Sequence, residues 1–138
     1  MSIDTEIVIE KLRAFYNYEA QKFMSMTNNC KQAALQLIEL ASFRGDFYRC
    51  LLTYRRLIDR FPEEIQYEIN VALTFIKMKR FKDAKQVLHN IIEYDQSNGV
   101  ALAYYGYILK VDEGNIEQGV AYMKKGLRLA EDQISDAK

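Results

Sequence analysis

An internal repeat with a period of 34 residues is the feature that most restricts how this chain can fold. The run CLLTYRRLID (residues 50–59) aligns with AKQVLHNIIE (residues 84–93), and the apolar positions of the two runs coincide. A further shift of 35 residues carries Ala84 to Gly119, so a small residue recurs in each unit, at Cys50, Ala84 and Gly119. Periods of roughly 20–50 residues are typical of proteins in which each repeat is one supersecondary structure stacked on the next. We expect the two helices of a unit to approach closely at these small residues.

Each unit is predicted to be two helices joined by a short turn. Polar breaks interrupt the helical stretches at 44–46, 79–80 and 113–115, and the segments 61–63 and 95–99 separate one unit from the next. The single Pro and six Gly of the 138-residue chain are too few turn residues for a many-stranded β-sandwich. The sequence therefore predicts an all-α fold, an α-α superhelix of about three helix-turn-helix repeats. The residue just after each turn is expected to wedge between the two helices of its unit; these residues are Phe47, Phe81 and Ile116.

The two ends of the chain are predicted to differ. Residues 1–29 do not follow the period, but their apolar residues fall roughly on one helical face, which predicts an extra N-terminal capping helix. The last helix has no such cover, so it should expose an apolar face that offers a surface for self-association. The predicted division is a capping helix at 1–29, units at 30–63, 64–98 and 99–131, and a frayed end at 132–138.

The residue inventory disfavours several classes of function. His89 is the only histidine, so a metal site with two histidine ligands cannot be built, and His89 is expected on a helix surface or lining a groove. Cys30 and Cys50 match no metal-binding or redox spacing and are expected to be free thiols. The 19 basic and 19 acidic residues cancel, unlike the charge of a typical nucleic-acid binder, and no apolar run is long enough to span a bilayer. We predict a soluble, non-catalytic segment that holds neither metal nor cofactor.

A helix-turn-helix repeat of this length, with a small residue opening the second helix and Pro62 closing the first unit, resembles the tetratricopeptide repeat (TPR). Tyr105 and Gly106 match that family's signature of an aromatic residue or leucine followed by glycine in the first helix. The sequence departs from the pattern at Gln96, which aligns with Pro62, and at Ala72, which aligns with Gly106. The third turn also carries one extra residue.

A narrower resemblance rests on short sequence segments that lie between those signature positions. They are residues 51–57, Phe61-Pro62, Ala84-Lys85, Asn98-Gly99 and residues 105–110. Together they are similar to the lumenal repeat region of the aspartyl/asparaginyl β-hydroxylase family, over roughly residues 45–128. The resemblance implies a parent in the endoplasmic reticulum lumen, whose catalytic domain uses iron(II) and 2-oxoglutarate to hydroxylate Asp or Asn in epidermal-growth-factor-like (EGF-like) domains. Neither that domain nor the family's membrane anchor is found in this sequence, so we expect an excised or truncated repeat domain.

The first helix of each unit is expected to line a concave surface that holds an extended peptide. An amide can pair with a peptide backbone, tyrosines offer rigid amphipathic contact area, and lysines can meet carboxylates. The tyrosines fit half-buried packing as well, the lysines fit a solvated edge, and Asn70 fits an interhelical hydrogen bond, so both kinds of role stay open. The predicted surface comprises Gln36, Glu39, Phe43, Asn70, Leu73, Lys77, Tyr104, Tyr107 and Lys110.

Two functions remain open on the sequence alone. In the first, the chain positions EGF-like substrate domains for an absent iron(II)- and 2-oxoglutarate-dependent domain. In the alternative, it is a stand-alone cytoplasmic TPR adaptor that binds an extended peptide in the same groove. The TPR clamp for an acidic chaperone C-terminus is disfavoured, because only Asn70 matches its five positions and Glu39 would repel the ligand's carboxylate.

Overall fold

The computed structural model describes residues 30–136, with side chains from residue 31 to residue 134. The capping helix predicted at 1–29 lies outside the described residues. Within them every regular element is an α-helix, and no strand occurs. The predicted all-α fold is therefore confirmed. The helices are α1 (Cys30–Phe43), α2 (Phe47–Arg60), α3 (Ile65–Lys77), α4 (Phe81–Tyr94), α5 (Gly99–Val111) and α6 (Ile116–Asp136).

Three left-handed residues close the turns between α1 and α2, α3 and α4, and α5 and α6. Gly45 has φ 75°, Lys79 has φ 61° and Gly114 has φ 69°, and these positions are related by the same shifts of 34 and 35 that align the sequence. A left-handed residue after a helix lets the next N–H group satisfy a free carbonyl of the last turn. These bonds are Asp46 N–H to Ala41 at 2.9 Å, Arg80 N–H to Phe75 at 2.8 Å and, one residue longer, Asn115 N–H to Leu109 at 2.9 Å.

We expect Lys79→Gly to raise the free energy of unfolding by about 0.5–1 kcal/mol. A side chain in the left-handed region costs roughly 1–2 kcal/mol, and the larger entropy of unfolded glycine offsets part of the gain. Urea denaturation measures the change. Lys125→Gly is the matched control: Lys125 lies exposed inside α6, where glycine should cost about 1 kcal/mol. A loss of stability in both variants would contradict the assigned conformation of Lys79.

The chain divides into two compact units, residues 1–57 and residues 58–138. In the first unit, Ala34 and Ile38 of α1 are buried, and so is Cys50 of α2. The Cys50 thiol lies 3.5 Å from the Ile38 carbonyl oxygen, which it meets as a weak donor. Cys50 forms no disulfide within the described residues, so it serves as a small core residue.

The second unit has a continuous apolar core. Helix α3 packs against α4, α4 packs against α5, and α5 packs against α6. Helices α3, α4 and α5 each contribute residues at spacings of three, four or seven, which places them on one face. The buried core comprises Ile69, Ala72, Ala84, Leu88, Ile91, Ala101 and Ile108.

Helices α5 and α6 approach closely enough for their backbones to touch. A Cβ atom added at Gly106 would collide with the Gly119 carbonyl oxygen and lie 2.9 Å from the Met123 nitrogen. Seven residues away on each helix, a Cβ atom on Gly99 would likewise collide with the Gly126 carbonyl oxygen. The close approach predicted at Gly119 is confirmed, and only glycine permits it.

Two sequence expectations fail in the second half of the chain. Phe81 packs against the core as the predicted wedge, but Ile116, its counterpart, is 60% exposed. Helix α6 continues to Asp136, beyond the expected start of fraying at residue 132. No Gly or Pro follows Gly126, so nothing in the sequence stops the helix.

Candidate peptide-binding surface

Helix α5 exposes an apolar stripe on the side away from the core. The helix is apolar almost all round, with Lys110 as its only charged residue. Positions 100, 104, 107 and 111 follow a spacing of four, three and four, which places them on one face. Val100 is 38% exposed, Tyr107 36% and Val111 50%, while Tyr104 is half-buried. A helix without a polar face is ordinarily covered on all sides, so this stripe is a candidate contact surface.

The predicted residues of α5 have different surroundings. Tyr104 packs against the buried core, so half-buried packing accounts for this side chain. Tyr107 and Lys110 are exposed. Lys110 also borders the glycine contact, since a Cβ atom added at Gly119 would lie 2.9 Å from the Lys110 nitrogen. Of these side chains, Tyr107 offers the most accessible aromatic surface.

The predicted residues of α3 lie next to the same core. Leu73 packs against the cluster that Tyr104 also contacts, so the structure brings these two residues to one part of the second unit. Asn70 is half-buried, and its side-chain oxygen accepts a hydrogen bond from Gln66 Nε2 at 3.0 Å. The partner of Asn70 is thus on its own helix, and its amide N–H groups can still donate to a ligand. Lys77 is exposed as the last residue of α3.

The three remaining predicted residues belong to the first unit. Gln36, Glu39 and Phe43 lie on α1 and are exposed, Phe43 to 90%. Their spacing of three and four residues places them on one face of that helix. An almost fully exposed phenylalanine is an unusual apolar feature for a surface, so Phe43 is the most prominent predicted contact in this unit.

Sequence reasoning missed Val100 and Val111 as members of the exposed stripe. Their helical spacing from Tyr104 and Tyr107 places all four residues on one face, and this spacing could have identified them. It was hidden because every residue of α5 except Lys110 is apolar or glycine, so periodicity does not separate the exposed face from the buried one. Only the positions of α4 and α6 against α5 reveal which face stays open.

A shallow depression lies elsewhere in the second unit. Its volume is about 280 Å³, and Lys85, His89 and Tyr105 are among its lining residues. Lys85 Nζ donates to Glu113 Oε2 at 2.7 Å, and this hydrogen bond raises the pKa of the Lys85 ammonium above its usual value. His89 is half exposed and lies 3.0 Å from Glu93. Acidic neighbours accompany Lys85 and His89, while Lys82, a third basic residue of the lining, is exposed.

The donor set for an iron centre is not assembled in the part of the chain that the structure describes. No three His, Cys, Asp or Glu side chains lie close enough there to hold a metal ion. A non-haem iron site of the facial type needs two histidines and a carboxylate, which these residues do not fit. In the same part of the chain, no helix is both long and apolar enough to cross a membrane.

Comparison with known proteins gives a distant similarity. No family model matches the chain. It is 25% identical over 100 residues to aspartyl/asparaginyl beta-hydroxylase of Mus musculus, covering 72% of this chain and 13% of that protein. The Homo sapiens protein of the same name is 25% identical over 96 residues, covering 70% of this chain and 12% of that protein. The chain therefore matches about an eighth of the length of these relatives, and its similarity to aspartyl/asparaginyl beta-hydroxylase is distant.

Proposed function

We propose that this chain is a non-catalytic TPR-type interaction domain that binds an extended polypeptide along α3 and α5. The observation that carries the proposal is the exposed apolar stripe of α5. Val100, Tyr107 and Val111 are partly exposed on a helix that has no polar face. A ligand can therefore contact apolar side chains directly along this helix. Burying such a stripe releases water from apolar surface, which drives most protein association.

Polar groups on α3 and α5 suit a peptide main chain. Asn70 can donate through its amide to a backbone carbonyl, because only its side-chain oxygen is engaged by Gln66. Lys77 and Lys110 stand near the ends of α3 and α5 and can meet a carboxylate. Apolar contact with a few oriented polar groups is the usual composition of a peptide groove.

The similarity to aspartyl/asparaginyl beta-hydroxylase supports a more specific role. We propose that the domain positions EGF-like substrate domains for an iron(II)- and 2-oxoglutarate-dependent hydroxylase domain. The described residues do not fit an iron site, so we assign this chain no step of the chemistry. Its contribution is to hold a substrate near a reacting centre that another domain supplies, which raises the effective concentration of the two partners.

We expect an isolated EGF-like domain to shift the amide NMR signals of Tyr104, Tyr107 and Val111 saturably when added to the isotope-labelled chain. Tyr107→Ser should weaken this binding about tenfold, because removing one interface aromatic typically costs 1–2 kcal/mol or more. The matched control is Tyr94→Ser. Tyr94 is 81% exposed at the end of α4 and is not part of the stripe, so its loss should leave the affinity unchanged.

Asn70→Ala separates a ligand contact from a structural one. Its hydrogen bond to Gln66 is exposed, so the variant should melt close to the wild type while binding more weakly. Equal weakening by Tyr107→Ser and Tyr94→Ser would contradict the proposed surface. Co-purification of cytoplasmic proteins, with no response to EGF-like domains, would favour the stand-alone adaptor.

A further inference from the structure

The turn between α3 and α4 concentrates positive charge, although the charges of the whole chain cancel. Four of the six residues from 77 to 82 are basic, and all four are exposed. Arg80 pairs with Asp83, with Nε and Oδ2 2.7 Å apart. Within the described part of the chain, none of the other three forms an ion pair. We call these four residues the basic turn: Lys77, Lys79, Arg80 and Lys82.

Lys79 occupies a position where the turns of the other two helix pairs have glycine. Its φ of 61° lies in the left-handed region, and the aligned residues, Gly45 and Gly114, have φ 75° and 69°. Glycine adopts this region without steric cost, whereas a residue with a side chain is strained there. The turn between α3 and α4 therefore loses stability by having a lysine at this position.

Arg80 departs from the other helix pairs in the same direction. It is the N-cap residue of α4, and its side chain makes no capping hydrogen bond. The aligned residues, Asp46 and Asn115, each accept a hydrogen bond from the backbone N–H three residues further on, at 3.2 Å and 3.3 Å. Positive charge at a helix N-terminus also opposes the helix dipole, and Lys82 adds a second cation in the first turn of α4.

Three local preferences are thus broken at neighbouring positions, each time by a basic residue. Departures of this kind persist where a function requires the residue, because packing alone would favour the stabilising alternative. The repeat itself does not need positive charge at these positions. None of the eight aligned residues is basic: Phe43, Gly45, Asp46, Tyr48, Val111, Gly114, Asn115 and Glu117.

We propose that the basic turn binds an acidic segment of a partner polypeptide. Ammonium and guanidinium groups form charge-assisted hydrogen bonds with carboxylates. The Arg80 guanidinium carbon lies 5.4 Å from the centroid of the Phe75 ring, so this side chain is already held in place before a ligand arrives. A guanidinium has five donors, and pairing with Asp83 leaves some of them for a second carboxylate.

A short acidic segment fits this surface better than a nucleic acid does. The basic turn covers only six residues, and acidic groups limit its extent. Asp83 follows it directly, and Glu113 lies 2.7 Å from Lys85, which is one helical turn beyond Lys82. Duplex DNA carries a charge about every 1.7 Å and is bound through a broad positive surface. A chain with 19 basic and 19 acidic residues lacks such a surface, whereas a few carboxylates match the few cations of the turn.

Fluorescence anisotropy of a labelled peptide of glutamates, titrated with the 138-residue chain, tests the proposal. We expect saturable binding that weakens with added salt, because the contacts are exposed ion pairs. Lys79→Gly combined with Arg80→Asn gives this turn the Gly-Asn pair of residues 114–115. The double variant should resist urea at least as well as the wild type, because it gains an unstrained turn and an N-cap. It should nevertheless bind the glutamate peptide about tenfold more weakly, because two exposed cationic contacts are lost.

The matched control removes the same charge elsewhere. Lys124→Gln combined with Lys125→Gln neutralises two exposed lysines of α6 and should bind like the wild type. The glutamate peptide has no apolar side chain for the α5 stripe, so a failure to bind would count against the basic turn and not against that stripe. The proposal is overturned if the wild type does not bind the peptide saturably, or if both double variants lose equal affinity. Tighter binding of a short DNA duplex than of the glutamate peptide, at the same salt concentration, would also overturn it.

Discussion

Gly106→Val is expected to lower the free energy of unfolding by about 3 kcal/mol or more, at the upper end of the usual cost of overpacking. The first carbon of the new side chain would collide with the Gly119 carbonyl oxygen and lie 2.9 Å from the Met123 nitrogen. Both are backbone atoms of α6, so no rotamer change relieves the clash. The two helices must separate along the contact and lose close packing on both sides of it. Urea denaturation followed by circular dichroism measures the loss.

Two alanine variants separate this steric effect from other properties of glycine. Gly114→Ala places a methyl group where nothing lies within 4 Å, so it should cost only the roughly 1–2 kcal/mol of a left-handed residue. Gly106→Ala should cost less than Gly106→Val, because alanine adds only the Cβ atom, whereas valine adds two further methyl groups at the same contact and has a lower helix propensity. Adding Gly119→Ala to Gly106→Ala should then cost less than the sum of the two, since separated helices accommodate both methyl groups. Wild-type melting of Gly106→Val would show that α5 and α6 do not touch there.

The sequence repeat predicted the local structure well, because it records contacts that recur. Each polar break became a turn, and residues related by shifts of 34 and 35 took the same left-handed conformation, including Lys79 where the other turns have glycine. Gly119 was expected at a close helix approach because Cys50 and Ala84 precede it in the repeat. Such positions respond to neighbours within one helix pair, and a period in the sequence reveals them.

Contacts confined to the last helix pair could not be predicted in this way. Gly99 and Gly126 form a second close approach, and neither has a glycine at the aligned position of the preceding unit. Ile116 was expected to be buried like Phe81, yet it is mostly exposed. Its surroundings depend on whether another helix packs against α6, and a pattern within the chain carries no information about that.

The candidate surface was predicted only in part for a related reason. The repeat identifies which helices share an orientation, so Asn70, Leu73 and Tyr104 were correctly expected on α3 and α5. Their individual surroundings depend on side-chain packing. Leu73 and Tyr104 support the core, while Asn70 bonds within its own helix. An apolar helix such as α5 has no polar residues to indicate its exposed face, so Val100 and Val111 emerged only from the structure.

Leu88→Ala is the second large effect, with an expected loss of about 2–5 kcal/mol in the free energy of unfolding. Leu88 is fully buried in α4, in the cluster that also holds residues of α3 and α5. Helices on two sides hold the surrounding side chains in place, so they cannot move in to fill the space that alanine leaves. The destabilisation is therefore the lost transfer free energy of the removed atoms plus the cost of the cavity. Leu52→Ala deletes the same atoms from a side chain that is 46% exposed and should cost much less. Equal losses in the two variants would mean that α4 is not central to the core.

Peptide binding by folded Leu88→Ala adds a second readout, since Leu73 and Tyr104 pack on the same cluster. A weaker affinity would show that this core also positions the binding surface.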